Sequence, residues 1–431
     1  MSTPDVERFH KLYGARKKRI NYQDKDFLDY LIMSGICALV LWFGYGPGHL
    51  LAMLGVGLCL VLAVAFPLRH GIAWRVPIIL RTPQDIVFVL IHKVQNIKAP
   101  YFIAIALLLA ENALISITPD WPHEVELMRR IAIGLFWAHF LGITAYRLSI
   151  MVAHLLKRDH VREVLSQSVW KSRVQTRGMT ALEIVHAFLT GLLTHMVYLV
   201  PWYLILTHVN YSLVLLPVTC VLAFLVQKAS VKTLNDWFYR DHWLGHNSEL
   251  DFVYLHGTHH DALPSAMIAV AGNGHLEGLV RSAIGFPIPF YNPFMAAFFY
   301  TVDVKADMDL HQYIPGVFPK LTKEFFGVIQ HSLHHYGRLE PYGFAINLDQ
   351  PISDDLKKRT RVLPDELKYS IRLDQALNGY EWDSPRFRWM MDLVERYHDE
   401  PPPGGAERKA NEKKADVASA SPPLGAEEGG L

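Results

Sequence analysis

Residues 236–260 read DWFYRDHWLGHNSELDFVYLHGTHH, and the five histidines in this stretch fall as His242-x3-His246 and His256-x2-His259-His260. A third cluster, His331-x2-His334-His335, follows later in the chain. Side chains three and four residues apart share one face of a helix, so each cluster can aim its imidazoles at a common point. With His275 and His311 added, the segment from His242 to His335 holds ten of the 22 histidines. Imidazole suits iron, zinc and copper, and a site this rich in nitrogen donors is too large for a single ion. Two metals is the natural reading. A hydrogen-bonded lattice of histidines is the blander alternative, but it would bury many unpaired rings at a cost in stability. A lone histidine carries no such signal, and His10, His49, His70, His92, His123, His154, His160, His208 and His398 read as ordinary surface or packed residues.

The clusters stand just outside apolar runs. Of the 431 residues 51% are hydrophobic and only 19% charged, which argues against an ordinary soluble protein. Segments 27–44, 49–68, 100–118, 131–155, 180–206 and 211–227 are each long and apolar enough to be read as membrane spans. The expected fold is therefore all-α: a polytopic membrane bundle (27–227) with a helical cap that carries the histidines (228–350). The polar first 26 residues imply that the first span is kept as an anchor. The apolar stretch Ile284 to Val302 contains Pro287, Pro289 and Pro293, and is expected to dip into the membrane as a hairpin or to lie in its interface, with a seventh span as the alternative. A soluble helical segment is expected over 351–399, and the Pro-, Gly- and Ala-rich 400–431 reads as a disordered tail.

Charge sets the orientation. Lys and Arg are dense before the first span, as Arg16, Lys17, Lys18 and Arg19, and again after the second and fourth spans. The alternate loops 45–48 and 207–210 have none, and the third such loop has only Arg129 and Arg130, beside Asp120, Glu124 and Glu126. Short basic loops stay in the cytoplasm, so six crossings from an inside N-terminus return the chain to the cytoplasm at Lys228, just before His242. Cys37, Cys59 and Cys220 all fall within expected spans and form no CxxC motif, so neither a disulfide framework nor a zinc ribbon is expected. The net charge of +1 and the lack of a basic domain point away from nucleic acid.

Each imidazole that binds a metal needs its second ring nitrogen satisfied. Asp236, Asp241, Asp261, Glu277 and Asp307 lie beside the histidine positions and can serve there, or can sit as solvated charges at the membrane surface. Glu111, His139, Glu183, His186 and His195 fall within the expected spans, where they can line a substrate channel or pair between helices.

The stretch from Asn235 to Asn347, roughly a quarter of the chain, resembles the fatty acid hydroxylase and sterol desaturase superfamily of membrane di-iron enzymes. His242-Trp-Leu-Gly-His246 looks like the first histidine box, His256-Gly-Thr-His259-His260 the second, and His331-Ser-Leu-His334-His335 the third. His275-Leu-Glu277 resembles the family's His-Pro-x-Glu element with Leu276 in place of Pro, and Tyr342-Gly343 its Asn-Tyr-Gly ending with Pro341 in place of Asn. The short gap between the first two boxes sets the pattern apart from acyl-CoA desaturases. Some members carry a histidine where this chain has Asp307.

What the resemblance implies is an O2-dependent oxidoreductase, a hydroxylase or other monooxygenase or else a desaturase. The cofactor would be two iron ions, with zinc as a substitute in isolated material. His242, His246, His256, His259, His260, His275, His311, His331, His334 and His335 would hold them, with Asp307 a ligand or a supporting carboxylate. The partners implied are a lipid such as a fatty acyl lipid or sterol, O2, and a separate electron donor (a ferredoxin, or a b-type cytochrome with its reductase). Hydroxylation and desaturation differ by a small shift of substrate, so spacing does not separate them. The composition of the tail favours a bacterial inner membrane, with the endoplasmic reticulum as the alternative. A histidine-rich metal transporter and a non-catalytic lipid-binding relative are the competing readings. Transport ligands belong near the membrane midplane, whereas these clusters flank the spans.

Overall fold

The computed structural model of the chain describes residues 22–70, 99–166, 177–229 and 289–311, together with Val317. Among these residues the regular structure is entirely helical. The helices are α1 (Tyr22–Tyr45), α2 (Leu50–His70), α3 (Ala99–Ile117), α4 (Val125–Leu156), α5 (Arg158–Ser166), α6 (Arg177–His208), α7 (Leu216–Ala229) and α8 (Pro293–His311). Each of the six apolar segments read from the sequence coincides with one of α1, α2, α3, α4, α6 and α7. By length and composition Val125–Leu156 and Ile184–His208 can cross a membrane, and shorter apolar helices cover Ser34–Tyr45, Leu50–Val64, Phe102–Ile117 and Leu216–Ala229. Residues 1–21, most of the expected cap, 351–399 and the tail lie outside the described residues.

α6 is the central helix. It packs against α1, α2, α4 and α5, and 72% of its apolar window is buried, against 33% for α4. The main core joins Leu41 of α1, Leu51 of α2, Phe136 and Phe140 of α4, Trp202 of α6 and Tyr300 of α8. A smaller core of Ala104, Ala223 and Tyr291 joins α3, α7 and the entry to α8. The outward faces are the inverse of a soluble protein's. Phe43, Leu60, Val64, Phe102, Leu109, Leu141 and Phe298 are more than half exposed, while Arg147, His154 and His195 are wholly buried. Apolar exposure on this scale is a liability in water and the normal condition in lipid.

Three connections close the same end of the bundle. In the α1–α2 turn, Tyr45 hydrogen-bonds the Thr207 hydroxyl, and His49 Nε2 lies 3.0 Å from the Tyr203 hydroxyl. The α3–α4 loop meets the α6–α7 loop through Leu213 N–H donating to the His123 carbonyl at 2.8 Å and through His123 Nδ1 beside the Ser212 hydroxyl, also at 2.8 Å. The Glu111 carboxylate accepts from Ser212 N–H at 2.9 Å, and Asn112 from Asn210 N–H at 2.9 Å. These three are the loops that charge assigns to the side away from the cytoplasm. That they share one end agrees with an alternating run of helices.

The region read as a hairpin or interfacial segment, 284–302, is described only from Pro289 onward, and there the structure differs from expectation in extent. One helix, α8, begins at Pro293 and continues past Val302 to His311. Its entry is tied to the loop end by Tyr211 O–H donating to the Phe290 carbonyl at 2.7 Å and by Asn292 Nδ2 donating to Thr219 Oγ1 at 2.9 Å. From there it runs beside α4 in the same direction. Thr301 meets His139, and Asp309 meets Tyr146. Proline at a helix's first position loses no hydrogen bond, so Pro293 starts the helix where a mid-helix proline would interrupt it.

Gly46 closes α1 with φ +91°, its N–H bonded to the Trp42 carbonyl at 2.7 Å. Only glycine takes this left-handed conformation without strain. Gly46→Val should therefore lower stability by about 1–2 kcal/mol. Gly48→Ala is the control, since an added Cβ there meets nothing within 4 Å. Thermal unfolding of the purified protein compares the two, and equal behaviour would show that the turn is not under this constraint.

Candidate functional site

Of the residues proposed from the sequence as ligands or supporting carboxylates, His311 and Asp307 are described. His242, His246, His256, His259, His260, His275, His331, His334 and His335 lie outside the described residues, as do Asp236, Asp241, Asp261 and Glu277. His311 ends α8, at the end of the bundle opposite the three closing loops. Its side chain is 5% exposed. Nδ1 donates to the Asp307 carbonyl one turn back at 2.6 Å and stands 3.4 Å from Asp307 Oδ1. A ring held through Nδ1 coordinates through Nε2, and a carbonyl or carboxylate on the far nitrogen is the usual support of a metal-bound imidazole. At this position the residue fits the metal reading. Among the described residues no group of three or more His, Cys, Asp and Glu side chains could hold an ion.

Of the polar residues read within the spans, His139 and His195 pair between helices. Deep between α4, α6 and α8, His139 Nε2 lies 3.0 Å from His195 Nε2, and His139 Nδ1 lies 2.7 Å from Thr301 Oγ1. The Thr301 hydroxyl donates its hydrogen to the Ala297 carbonyl at 2.6 Å. Its oxygen must then accept from His139 Nδ1–H. With both rings neutral, His139 Nε2 is left as the acceptor and His195 Nε2–H as the donor. The chain of bonds ends on His195 Nδ1, a buried acceptor with no hydrogen-bond partner. Phe140, Trp202 and Tyr300 pack around the pair. Glu111 ties α3 to the α6–α7 loop, as described above. His186 is buried on α6, and the side chain of Glu183 lies outside the described residues.

Three features of the seam were not anticipated from the sequence. Arg147 is fully buried on α4, with Nη2 3.7 Å from the sulfur of Met308. Tyr146 O–H donates to Asp309 Oδ1 at 2.5 Å, and Lys305 Nζ donates to Asp309 Oδ2 at 2.6 Å. An arginine inside an apolar run is a signal in its own right, because a charge at membrane depth has to be paired. Nothing in the periodicity of 293–311 showed which helix would receive the acidic residues of α8.

Compared with models of known protein families, with curated proteins and with solved structures, the chain matches none.

The tautomer chain has a measurable consequence. Thr301→Val strands His139 Nδ1–H in the core and should cost about 1–3 kcal/mol, the penalty for a buried unsatisfied donor. Replacing both imidazoles, His139→Phe with His195→Phe, removes donor and acceptor together and should cost less than His139→Phe alone. Unfolding of the three variants in one detergent decides it, and a double variant worse than the single would contradict the assignment.

Proposed function

We propose that this chain is a multi-pass membrane oxygenase that holds two iron ions in its histidine boxes and hydroxylates, or desaturates, an unactivated C–H position of a lipid. The observation that carries the reading is the spacing of His242-x3-His246, His256-x2-His259-His260 and His331-x2-His334-His335 just outside apolar segments. Six spans would set the boxes on the cytoplasmic side of what we take to be a bacterial inner membrane. Two features support that placement. The three connections poor in Lys and Arg close one end of the bundle, and His311, the described member of the ligand set, sits at the other.

When bound, the iron pair supplies O2 activation and attack on the C–H bond, with electrons from a separate ferredoxin or b-type cytochrome. The chain's own residues do the rest. The box histidines and His275 present neutral nitrogen donors, and His311 is oriented by its bond to the Asp307 carbonyl. The apolar outer faces of the helices let a lipid approach sideways from the bilayer and present one carbon to the site. Enclosure by the cap would keep water from the reacting position. A fatty acyl lipid or a sterol fits this entry.

Comparative lipid mass spectrometry of cells with and without the protein tests the reading. We expect a species gaining one oxygen, or losing two hydrogens, that appears only when the protein is present. His259→Ala and His334→Ala should each abolish that product while membrane insertion is unchanged. Product formation that survives either substitution would contradict the ligand assignment. Metal flux into proteoliposomes without any lipid product would favour the transporter instead.

A further inference from the structure

Five rings stand in contact from the α4–α8 seam to the loop end of the bundle. Tyr300 of α8 packs on Trp202 of α6 with ring centres 5.4 Å apart, and Trp202 on Phe136 of α4 at 5.3 Å. Phe136 packs on Tyr203 at 4.8 Å, and Tyr203 on Tyr45 of α1 at 5.4 Å. The first four are buried and Tyr45 is half-buried. All but Phe136 are indoles or phenols, the side chains that give up one electron most readily. Core packing accounts for the ring contacts. It does not dictate what the polar tips meet.

A phenol that loses an electron must also lose its proton, so it needs a base within hydrogen-bond reach. Tyr300 O–H donates to the Tyr198 carbonyl at 3.3 Å, and Tyr45 bonds the Thr207 hydroxyl; neither partner is a base. His208 Nδ1 lies 3.3 Å from the Tyr45 hydroxyl but 3.0 Å from the Leu204 carbonyl, so that nitrogen already carries a hydrogen. Tyr203 differs. Its hydroxyl lies 3.0 Å from His49 Nε2, and His49 Nδ1 is buried with no hydrogen-bond partner. If Tyr203 donates, only the His49 Nδ1–H is left unsatisfied. If His49 donates, both Nδ1 and the phenol hydrogen are. Tyr203 is therefore the donor and His49 Nε2 the acceptor.

We propose that Tyr203 and His49 form a redox-active pair, and that Trp202 and Tyr300 connect it to the metal end of α8. Tyr203 gives one electron, through Trp202 and Tyr300, to an iron pair left oxidised when O2 reacts without lipid. Its proton passes to His49 Nε2, leaving a neutral phenoxyl beside an imidazolium. A quinol at the loop end returns the electron, and His49 returns the proton. Trp202, whose indole N–H has no partner to take its hydrogen, passes the charge on and does not hold it. The longest step lies between Tyr300 and His311, roughly 16 Å along α8. Such a path spares the box histidines from oxidation. Its oxidant belongs to the metal-centre reading above, whereas the pair does not depend on it.

Flash photolysis of the full chain in nanodiscs tests the pair, with ruthenium(II) tris-bipyridine as sensitiser and persulfate as electron acceptor. A tyrosyl radical should appear in the EPR spectrum, form more slowly in D2O, and be lost in Tyr203→Phe. His49→Gln should lose most of the signal, and added imidazole should restore part of it, a rescue that a purely structural role would not give. A radical that survives Tyr203→Phe, or is indifferent to His49→Gln, overturns the pair. Iron-loaded protein mixed with O2 and reductant but no lipid, then freeze-quenched, tests the connection. The same radical should form, with a lower yield in Trp202→Phe and Tyr300→Phe at equal iron content. No radical from iron-loaded protein, or an unchanged yield in both variants, overturns the connection. Should Trp202→Phe fail to fold, Tyr300→Phe carries the comparison. Protein that takes up no iron contradicts the metal-centre reading instead, and the flash experiment alone then decides the pair.

Discussion

The seam between α4 and α8 is the contact on which the described part of the candidate centre depends. Lipid offers a buried polar group no partner, so each polar residue carried into such a bundle has to find one on another helix or on its own backbone. α8 brings Thr301, Met308 and Asp309 to this seam, and α4 answers with His139, Arg147 and Tyr146. The pairing fixes the register of the two helices from mid-bundle to the last turn of α8. His311 is the next polar position beyond the paired residues, and its place follows from that register.

The two ends of the bundle have different chemistry. At one end short connections bond to one another, with His49, His123 and His208 taking part as hydrogen-bonding side chains. At the other, α8 ends in an imidazole whose Nδ1 is bonded to its own helix. Thr301, where the buried pair begins, is ten residues from His311, roughly 15 Å along a helix. The His139–His195 pair thus belongs to the packing of the bundle interior and not to the immediate surroundings of His311.

Helix positions were legible in the sequence because apolar length is read directly. Segments 27–44, 49–68, 100–118, 131–155, 180–206 and 211–227 differ from the observed helices by a few residues at most ends. α8 was legible only as the apolar stretch 284–302, because Asp303, Lys305, Asp307 and Asp309 end the hydrophobic run while the helix itself goes on. Asp309 is held by Lys305 one turn away and by a contact that a one-dimensional pattern does not contain, the Tyr146 hydroxyl on α4. Helix pairing of His139 with His195 was among the readings open from sequence; its geometry was not. Arg147 could have been singled out as a charge within an apolar segment, but its partner could not.

The central claim is that the histidine boxes hold a pair of iron ions at one end of this helical bundle. Metal analysis of the full chain, purified anaerobically from cells supplied with iron, tests it most directly. The account predicts about two iron ions per chain, or zinc in their place after aerobic handling, lost together when box histidines are replaced. Protein that is folded and inserted yet carries no transition metal under either condition would contradict it.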